Sequence, residues 1–163
     1  MKKILLLVVM LSLTACNGQE KKKDTKAPVP PAGKVVKTDA EWKAQLTAEQ
    51  YGVLREKETE RPYTGEYDSF FEKGMYVCAA CGNPLFTSDN KFDSHCGWPS
   101  FDRAIKGSVV YIKDNSLGME RTEVECAKCG GHLGHVFDDG PKKTTGQRFC
   151  TNSVSIKFIP AGK

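Results

Sequence analysis

The chain has no apolar run long enough to cross a bilayer as a helix; the longest, residues 4–13, falls well short of the roughly 20 residues such a span needs. Nor does its larger part carry a surplus of positive charge. The formal net charge is +4, yet from Ala40 onward 16 Lys+Arg stand against 17 Asp+Glu, which excludes the concentrated basic face of a nucleic-acid binder. Large apolar residues other than valine are nearly missing from residues 17–39, where Lys21, Lys22 and Lys23 precede the prolines at 28, 30 and 31. Such a segment cannot bury a core, and its lysines favour an extended path near anionic headgroups.

The short apolar run that does exist follows Met-Lys-Lys, giving the charged and apolar regions of an export signal. It ends in Leu13-Thr14-Ala15-Cys16, which resembles the bacterial lipoprotein signal and marks Cys16 as the lipidated first residue of the mature chain. The alternative is an ordinary signal with a chance cysteine near its cleavage site. The expected organisation is a lipoprotein signal peptide at 1–15, the lipidated cysteine and flexible tether at 16–39, and one folded domain at 40–163, exported and anchored at a membrane. A monomer is expected.

Within that domain, residues 38–57 read as two short helices, because Thr38 with Glu41 and Thr47 with Gln50 both fit the capping box, while Trp42, Leu46, Tyr51 and Leu54 supply apolar positions. Beyond them the pattern turns to strand-like runs at 75–78, 109–113, 122–126 and 150–159, separated by Gly, Asn, Asp and Pro clusters. A mainly β, antiparallel domain with helices at its N-terminal end follows.

Two segments share the form Cys-Ala-x-Cys-Gly-x-x-Leu, one with Cys78 and Cys81, the other with Cys126 and Cys129. Each offers two thiolates from one tight turn, the arrangement a tetrahedral zinc ion requires. A single such pair in an exported protein is equally a redox motif or a disulfide; the doubling favours zinc. Four thiolates close the coordination shell, so the site is structural and the chemistry lies elsewhere. No organic cofactor is expected.

Cys96 and Cys150 remain. Read as one strand, residues 148–158 place Arg148, Cys150 and Asn152 on the same face as Val154, Ile156 and Phe158, with the odd positions on a wetter face. Ionising a thiol of ordinary pKa at neutral pH costs about 2 kcal/mol, and one cation about 4 Å away in a partly screened site returns roughly 4 kcal/mol. Cys150 beside Arg148 therefore has the makings of an activated nucleophile; an inert buried cysteine is the alternative. His132 and His135 follow directly on the second knuckle and are candidates for proton transfer, or else one is a zinc ligand or a packed residue. Cys96 lies in a kinked loop with Trp98, which either walls an apolar pocket or is plain core. In an oxidising compartment Cys96 is also a disulfide partner for Cys150, reversible if the polar cluster is to be of use.

Three motifs in order, Cys-Gly-Trp-Pro-Ser-Phe at 96–101, His-Leu-Gly-His-Val-Phe at 132–137 and Arg-Phe-Cys-Thr-Asn at 148–152, together with both knuckles in register, make residues 42–159 resemble the MsrB-type methionine-R-sulfoxide reductases. The resemblance implies a fold of two antiparallel sheets, Cys150 as attacking thiolate and Cys96 as resolving thiol. It further implies that Trp98 encloses the substrate methyl group and that His132, His135, Phe137, Asp139, Arg148 and Asn152 line the pocket, a histidine supplying the proton. The partners implied are oxidised methionine in proteins or peptides and a thioredoxin-like reductant. Asp138, Thr151 and His95 depart from the family's usual proline, β-branched apolar residue and glycine, and Asp138 adds a charge beside Asp139. The Gly-Cys-Phe-Trp motif of the S-specific reductases does not occur.

Two other readings compete. A zinc-ribbon binding module explains the knuckles without a nucleophile, and a general disulfide oxidoreductase uses one Cys-x-x-Cys pair as its redox centre. Neither accounts for the Arg, Cys and Asn cluster together with the histidine pair.

Overall fold

The computed structural model describes residues 33–162; the leader, Cys16 and most of the tether lie outside them. Contact with the fold begins before Ala40, where Val35 N donates to Lys128 O at 2.7 Å. Helices α1 (Asp39–Gln45) and α2 (Ala48–Glu56) both carry complete capping boxes, from Thr38 with Glu41 and Thr47 with Gln50. Each box satisfies amides that a helix end otherwise leaves bare, which is why two such short helices persist. Trp42 of α1 is buried, with Arg55 of α2 over its ring at 5.2 Å.

Nine strands follow: β1 (Gly74–Cys78), β2 (Pro84–Thr87), β3 (Lys91–Phe92), β4 (Ser100–Phe101), β5 (Val109–Asp114), β6 (Arg121–Cys126), β7 (His132–Phe137), β8 (Arg148–Thr151) and β9 (Ile156–Pro160). They form two sheets, of order β2-β1-β9 and β3-β4-β8-β7-β6-β5, and every pairing is antiparallel. The expected mainly β architecture with short N-terminal helices is therefore the observed one. Aromatic rings fill the space between the sheets: Phe101 of β4 stacks on Phe86 of β2 at 4.2 Å and meets Tyr76 of β1 edge-on at 5.0 Å.

The single strand expected over 148–158 is broken. After Thr151 the chain makes a 3-10 turn, Ser153–Ser155, and then joins the other sheet as β9. The cause is a distant carboxylate. Glu60 accepts the amides of Ser153 at 2.6 Å and Val154 at 3.1 Å, so these groups need no partner strand. The turn also changes which residues face inward. In β8 the odd residues Phe149 and Thr151 are buried while Arg148 and Cys150 are only partly covered, whereas in β9 Ile156 is buried and Lys157 is exposed. The face carrying Cys150 is thus the wetter one, contrary to the expectation from a continuous alternation.

Because Phe101 joins the aromatic layers of both sheets, Phe101→Ala is expected to cost about 3–5 kcal/mol, and Thr47→Ala, which removes one cap, only about 1 kcal/mol. Denaturant unfolding of the two variants would measure both.

Candidate active site

The two knuckles meet. Cys78 ends β1 and Cys126 ends β6, and each is followed by a turn closed by a glycine amide, Gly82 N to Cys78 O at 2.9 Å and Gly130 N to Cys126 O at 2.8 Å. Sulfur separations are 3.7 Å between Cys78 and Cys129 and 3.6 Å between Cys81 and Cys126, and all four sulfurs lie within 4.8 Å of one another. Thiolates placed tetrahedrally at the usual zinc–sulfur distance are about 3.8 Å apart, so the set fits such an ion. Neither histidine belongs to the group.

On the six-stranded sheet, strand register assembles the polar residues. Ile112, Glu123, His135, Cys150 and Ser100 are cross-strand neighbours on β5, β6, β7, β8 and β4. Directly opposed residues share a face, so this row lies on one side of the sheet. Two residues along, Asp114 pairs with Arg121 and Phe137 with Arg148 on that same side.

His132 and His135 are an odd number of residues apart, and a regular strand would place them on opposite faces. Their rings nonetheless meet edge-on at 5.5 Å. The register of β6 with β7 slips at this point, Val124 pairing with Gly134 and Glu125 with His132, and the extra residue of the bulge restores the shared face. Gly134 makes this possible: its φ is +151°, and a Cβ there would sit 2.0 Å from the Cys150 carbonyl oxygen.

Each histidine is held by a carboxylate that the sequence did not single out. His132 Nδ1 is 2.7 Å from Glu123 Oε1, and Glu123 is bonded in turn by Lys57 Nζ at 2.8 Å. Burial keeps the His132 pKa below its usual value, against the pull of Glu123, and its Nε2 has no partner among the described residues. His135 Nε2 lies 2.8 Å from Asp114 Oδ2, a carboxyl held well below the usual range by the Ser116 hydroxyl and amide, then by His135. Asp138 is exposed, and Asp114 rather than Asp138 faces the His135 ring.

Cys150 Sγ and Cys96 Sγ are 3.6 Å apart. Arg148 makes two 2.8 Å bonds to Asp139 and lies over the Phe137 ring at 4.5 Å. Their contact draws the two thiols apart in pKa, and Cys96 is the one lowered. The hydrogen bond from Cys150, with those from Ser100 and Ser94, brings its pKa down to about 4 against burial. Cys150 is pushed up by that same bond and by burial, with Arg148 opposing. One cation was expected to suffice for Cys150; the contact with the second thiol and burial oppose it.

A cleft of about 120 Å³ opens over the row, lined by Thr59, Trp98, Arg121, His135, Cys150 and Asn152, with Gly134 and Phe137. Trp98 is held at its edge by Nε1 donating to Glu60 O at 3.2 Å. Buried Asn152 accepts from Glu60 N and donates to Leu133 O, both at 3.1 Å. Of the residues anticipated here, Cys150, His135, Trp98, Phe137 and Asn152 line the cleft; His132 lies behind it, Arg148 and Asp139 flank Phe137, and Cys96 approaches from its own loop. Thr59, Glu60, Asp114, Arg121 and Glu123 were not anticipated. Only Arg121 and Glu123, alternating with apolar residues on a strand, left a trace in the sequence, and none of the five carries a local signature of the role.

The SelR domain model matches residues 46–160. The peptide methionine sulfoxide reductase MsrB of Agrobacterium fabrum is 58% identical over 128 residues, covering 78% of this chain and 94% of that protein. MsrB of Hahella chejuensis is 59% identical over 129 residues, 78% and 92% of the two chains. A probable methionine-R-sulfoxide reductase B of Caenorhabditis elegans is 54% identical over 120 residues, 72% and 79%.

A methyl group at position 134 has nowhere to go, since backbone rather than a mobile side chain blocks it. Gly134→Ala is expected to lower stability by roughly 1–3 kcal/mol through overpacking and to separate β7 from β8, seen as faster amide exchange at Asn152, whose amide donates to Leu133 O.

Proposed function

We infer, from the premise that this chain belongs to the SelR domain family, that it reduces methionine sulfoxide in peptides and proteins to methionine and so repairs oxidised protein. The observation that carries this reading is the Cys96 and Cys150 sulfur pair at 3.6 Å, bordering a cleft that also presents His135 and Trp98. The R epimer is the proposed substrate, with Trp98 and Phe137 enclosing its methyl group. Cys150 attacks the sulfoxide sulfur while His135 gives a proton to the oxygen. Methionine leaves, and Cys150 retains the oxygen as a sulfenic acid.

Cys96 then attacks that sulfur, water departs, and a Cys96 to Cys150 disulfide forms. Little motion is required, because a disulfide needs the sulfurs only about 1.5 Å closer than they stand. A thioredoxin-like dithiol restores both thiols by exchange. Within this scheme Arg148, fixed by Asp139, places positive charge beside the reacting sulfur. His132 supports His135 from behind, and Asn152 ties β8 to Glu60 so that Cys150 keeps its position.

Zinc is the ion proposed for Cys78, Cys81, Cys126 and Cys129. Four thiolates leave no coordination position for substrate, so its part is to hold the fold. For Cys16 the proposed role is lipidation, which with the signal at 1–15 and the tether at 16–39 would carry the reductase as an exported, membrane-anchored monomer. Its reductant is then an exported protein as well, and no nucleic acid is involved.

Incubation with separate R and S sulfoxide epimers tests the activity. Turnover of the R epimer alone is expected, abolished by Cys150→Ser; Cys96→Ser is expected to yield about one methionine per chain, continuing only if a small dithiol reaches the sulfenic acid. Preference for the S epimer would overturn the assignment. For the metal, elemental analysis is expected to find one zinc per chain, and its removal to cost stability on the order of 10 kcal/mol, enough to unfold a domain of this size.

A further inference from the structure

Residues 60–63 are bonded to both elements that carry the reactive sulfurs. Toward the Cys150 side, the Glu60 amide donates to Asn152 Oδ1 at 3.1 Å, and the Glu60 carboxylate accepts the amides of Ser153 at 2.6 Å and Val154 at 3.1 Å. Toward the Cys96 side, the Glu60 carbonyl oxygen accepts from Trp98 Nε1 at 3.2 Å. Tyr63 N then donates to Gly97 O at 2.7 Å, and the Tyr63 hydroxyl donates to His95 O at 2.8 Å. The Cys96 loop is thus gripped on both sides of its sulfur. Buried Glu60 joins the two grips, since its amide, carbonyl and carboxylate are all engaged.

The loop needs such a grip. It leaves β3 and returns as β4, and residues 93–99 belong to no strand. The sheet fixes its ends, as where Thr151 N donates to Pro99 O at 3.0 Å, while residues 60–63 tie its middle. The fit there is close: a Cβ at Gly97, whose φ is +91°, would stand 2.7 Å from Pro62 Cβ and 2.9 Å from Tyr63 N. His95 and Tyr63 also hold left-handed backbone, at +55° and +65°, which side chains other than glycine rarely adopt. At His95 the ring and the amide both turn to the Asp93 carboxylate, at 3.1 and 3.0 Å, and the Tyr63 hydroxyl bond completes the hold.

We propose that residues 60–63 form a clamp that sets the reach between Cys96 and Cys150, with Glu60 as its positioning residue, so that the clamp governs both the resolution of the sulfenic acid and the stability of the disulfide. This rests on the reductase reading. In the resolving step the Cys96 sulfur attacks the Cys150 sulfur; the S–O bond breaks as the S–S bond forms, and the thiol proton leaves with the hydroxyl as water. Both rate and equilibrium depend on how well the two sulfurs are held in reach, and a displacement of about 1 Å costs as much as 10²-fold. At 3.6 Å apart in the reduced pair, the sulfurs are ordered before the sulfenic acid forms. Each carboxylate oxygen of Glu60 takes one amide. In Glu60→Gln one of them becomes an N–H facing an N–H, and the grip on the Cys150 side is lost.

The equilibrium of the Cys96 to Cys150 disulfide with dithiothreitol, quenched by alkylation and mapped by mass spectrometry, tests the clamp without any sulfoxide. In Glu60→Gln, and in Gly97→Ala, whose methyl group drives the loop from Pro62, the equilibrium constant for the disulfide is expected to fall roughly tenfold, or about 30 mV. Tyr63 is exposed, so Tyr63→Phe decides the matter if the other two fail to fold; loss of its single bond is expected to move the constant about threefold in the same direction. A constant unmoved in every folded variant, or moved toward the disulfide, overturns the proposal, because a residue that only stabilises the fold lowers the unfolding midpoint and leaves this ratio alone. With R sulfoxide, dimedone is expected to trap about threefold more Cys150 sulfenic acid in Tyr63→Phe than in wild type; equal trapping counts against a role in resolution. If the wild type releases no methionine from either epimer, the reductase reading fails, while the dithiothreitol equilibrium still decides the clamp.

Discussion

Four sulfurs from two different sheets converge within 4.8 Å, and the position of every reactive group depends on that junction. Cys78 and Cys81 come from the end of β1, in the three-stranded sheet; Cys126 and Cys129 come from the end of β6, in the six-stranded one. No strand pairs across the two sheets, so side-chain packing, isolated hydrogen bonds such as Ser108 Oγ to Leu85 O and Ser155 Oγ to His132 O, and this cluster hold them together. Fixing the end of β6 fixes the register of β7 upon it, and β7 carries β8 and Cys150. The domain spends little of its small core on aliphatic packing near the site, burying Glu60, Glu123, His132 and Asn152 instead. Buried polar groups in that number cost stability wherever a bond is missing, as at His132 Nε2 among the described residues, and a bound zinc would offset the stability they forgo.

Parity is the second constraint. A sheet face accepts every other residue, yet the site needs His132 and His135 together and Cys150 on the side away from the core. Two local irregularities meet the need. The bulge at Leu133 and Gly134 brings the two rings to one side, and the 3-10 turn after Asn152 lets β8 present Cys150 outward while β9 presents Ile156 inward. Both irregularities touch the same groups, since Asn152 donates to Leu133 O and accepts from Glu60.

These same irregularities mark where reading the sequence stops. Helices α1 and α2 were legible because a capping box is complete within four residues, and the knuckles because each is complete within five and they repeat one another. The strand runs near 75, 110 and 122 were legible as short strand-like runs set off by Gly, Asn, Asp and Pro clusters. By contrast, the break after Thr151 is caused by Glu60, 93 residues from the amide of Ser153 it accepts, and nothing near either residue announces the pairing. The roles of Asp114 and Glu123 were illegible for a like reason: a carboxylate on a strand becomes a histidine partner only through register, which depends on where β5, β6 and β7 stop and turn. Cys150 was recognised by its neighbours and Cys96 as a possible partner for it, but the 3.6 Å approach of the two sulfurs depends on how the loop of Cys96 folds over β8, which no local pattern announces.

The close approach of the two sulfurs has a consequence for a protein that handles oxidants. A thiolate is the form that peroxide attacks, and a nucleophile held permanently as thiolate risks passing beyond sulfenic acid to states that exchange cannot reverse. If Cys150 stays protonated until substrate fills the cleft beneath Trp98, its exposure to stray oxidant is brief. Oxidation of Cys96 would do less harm: a sulfenic acid formed there lies 3.6 Å from the Cys150 thiol and condenses to the same disulfide that catalysis produces. Either sulfur, oxidised first, leads to one product within reach of an external dithiol. The sulfur contact therefore protects the pair for the same geometric reason that it permits turnover.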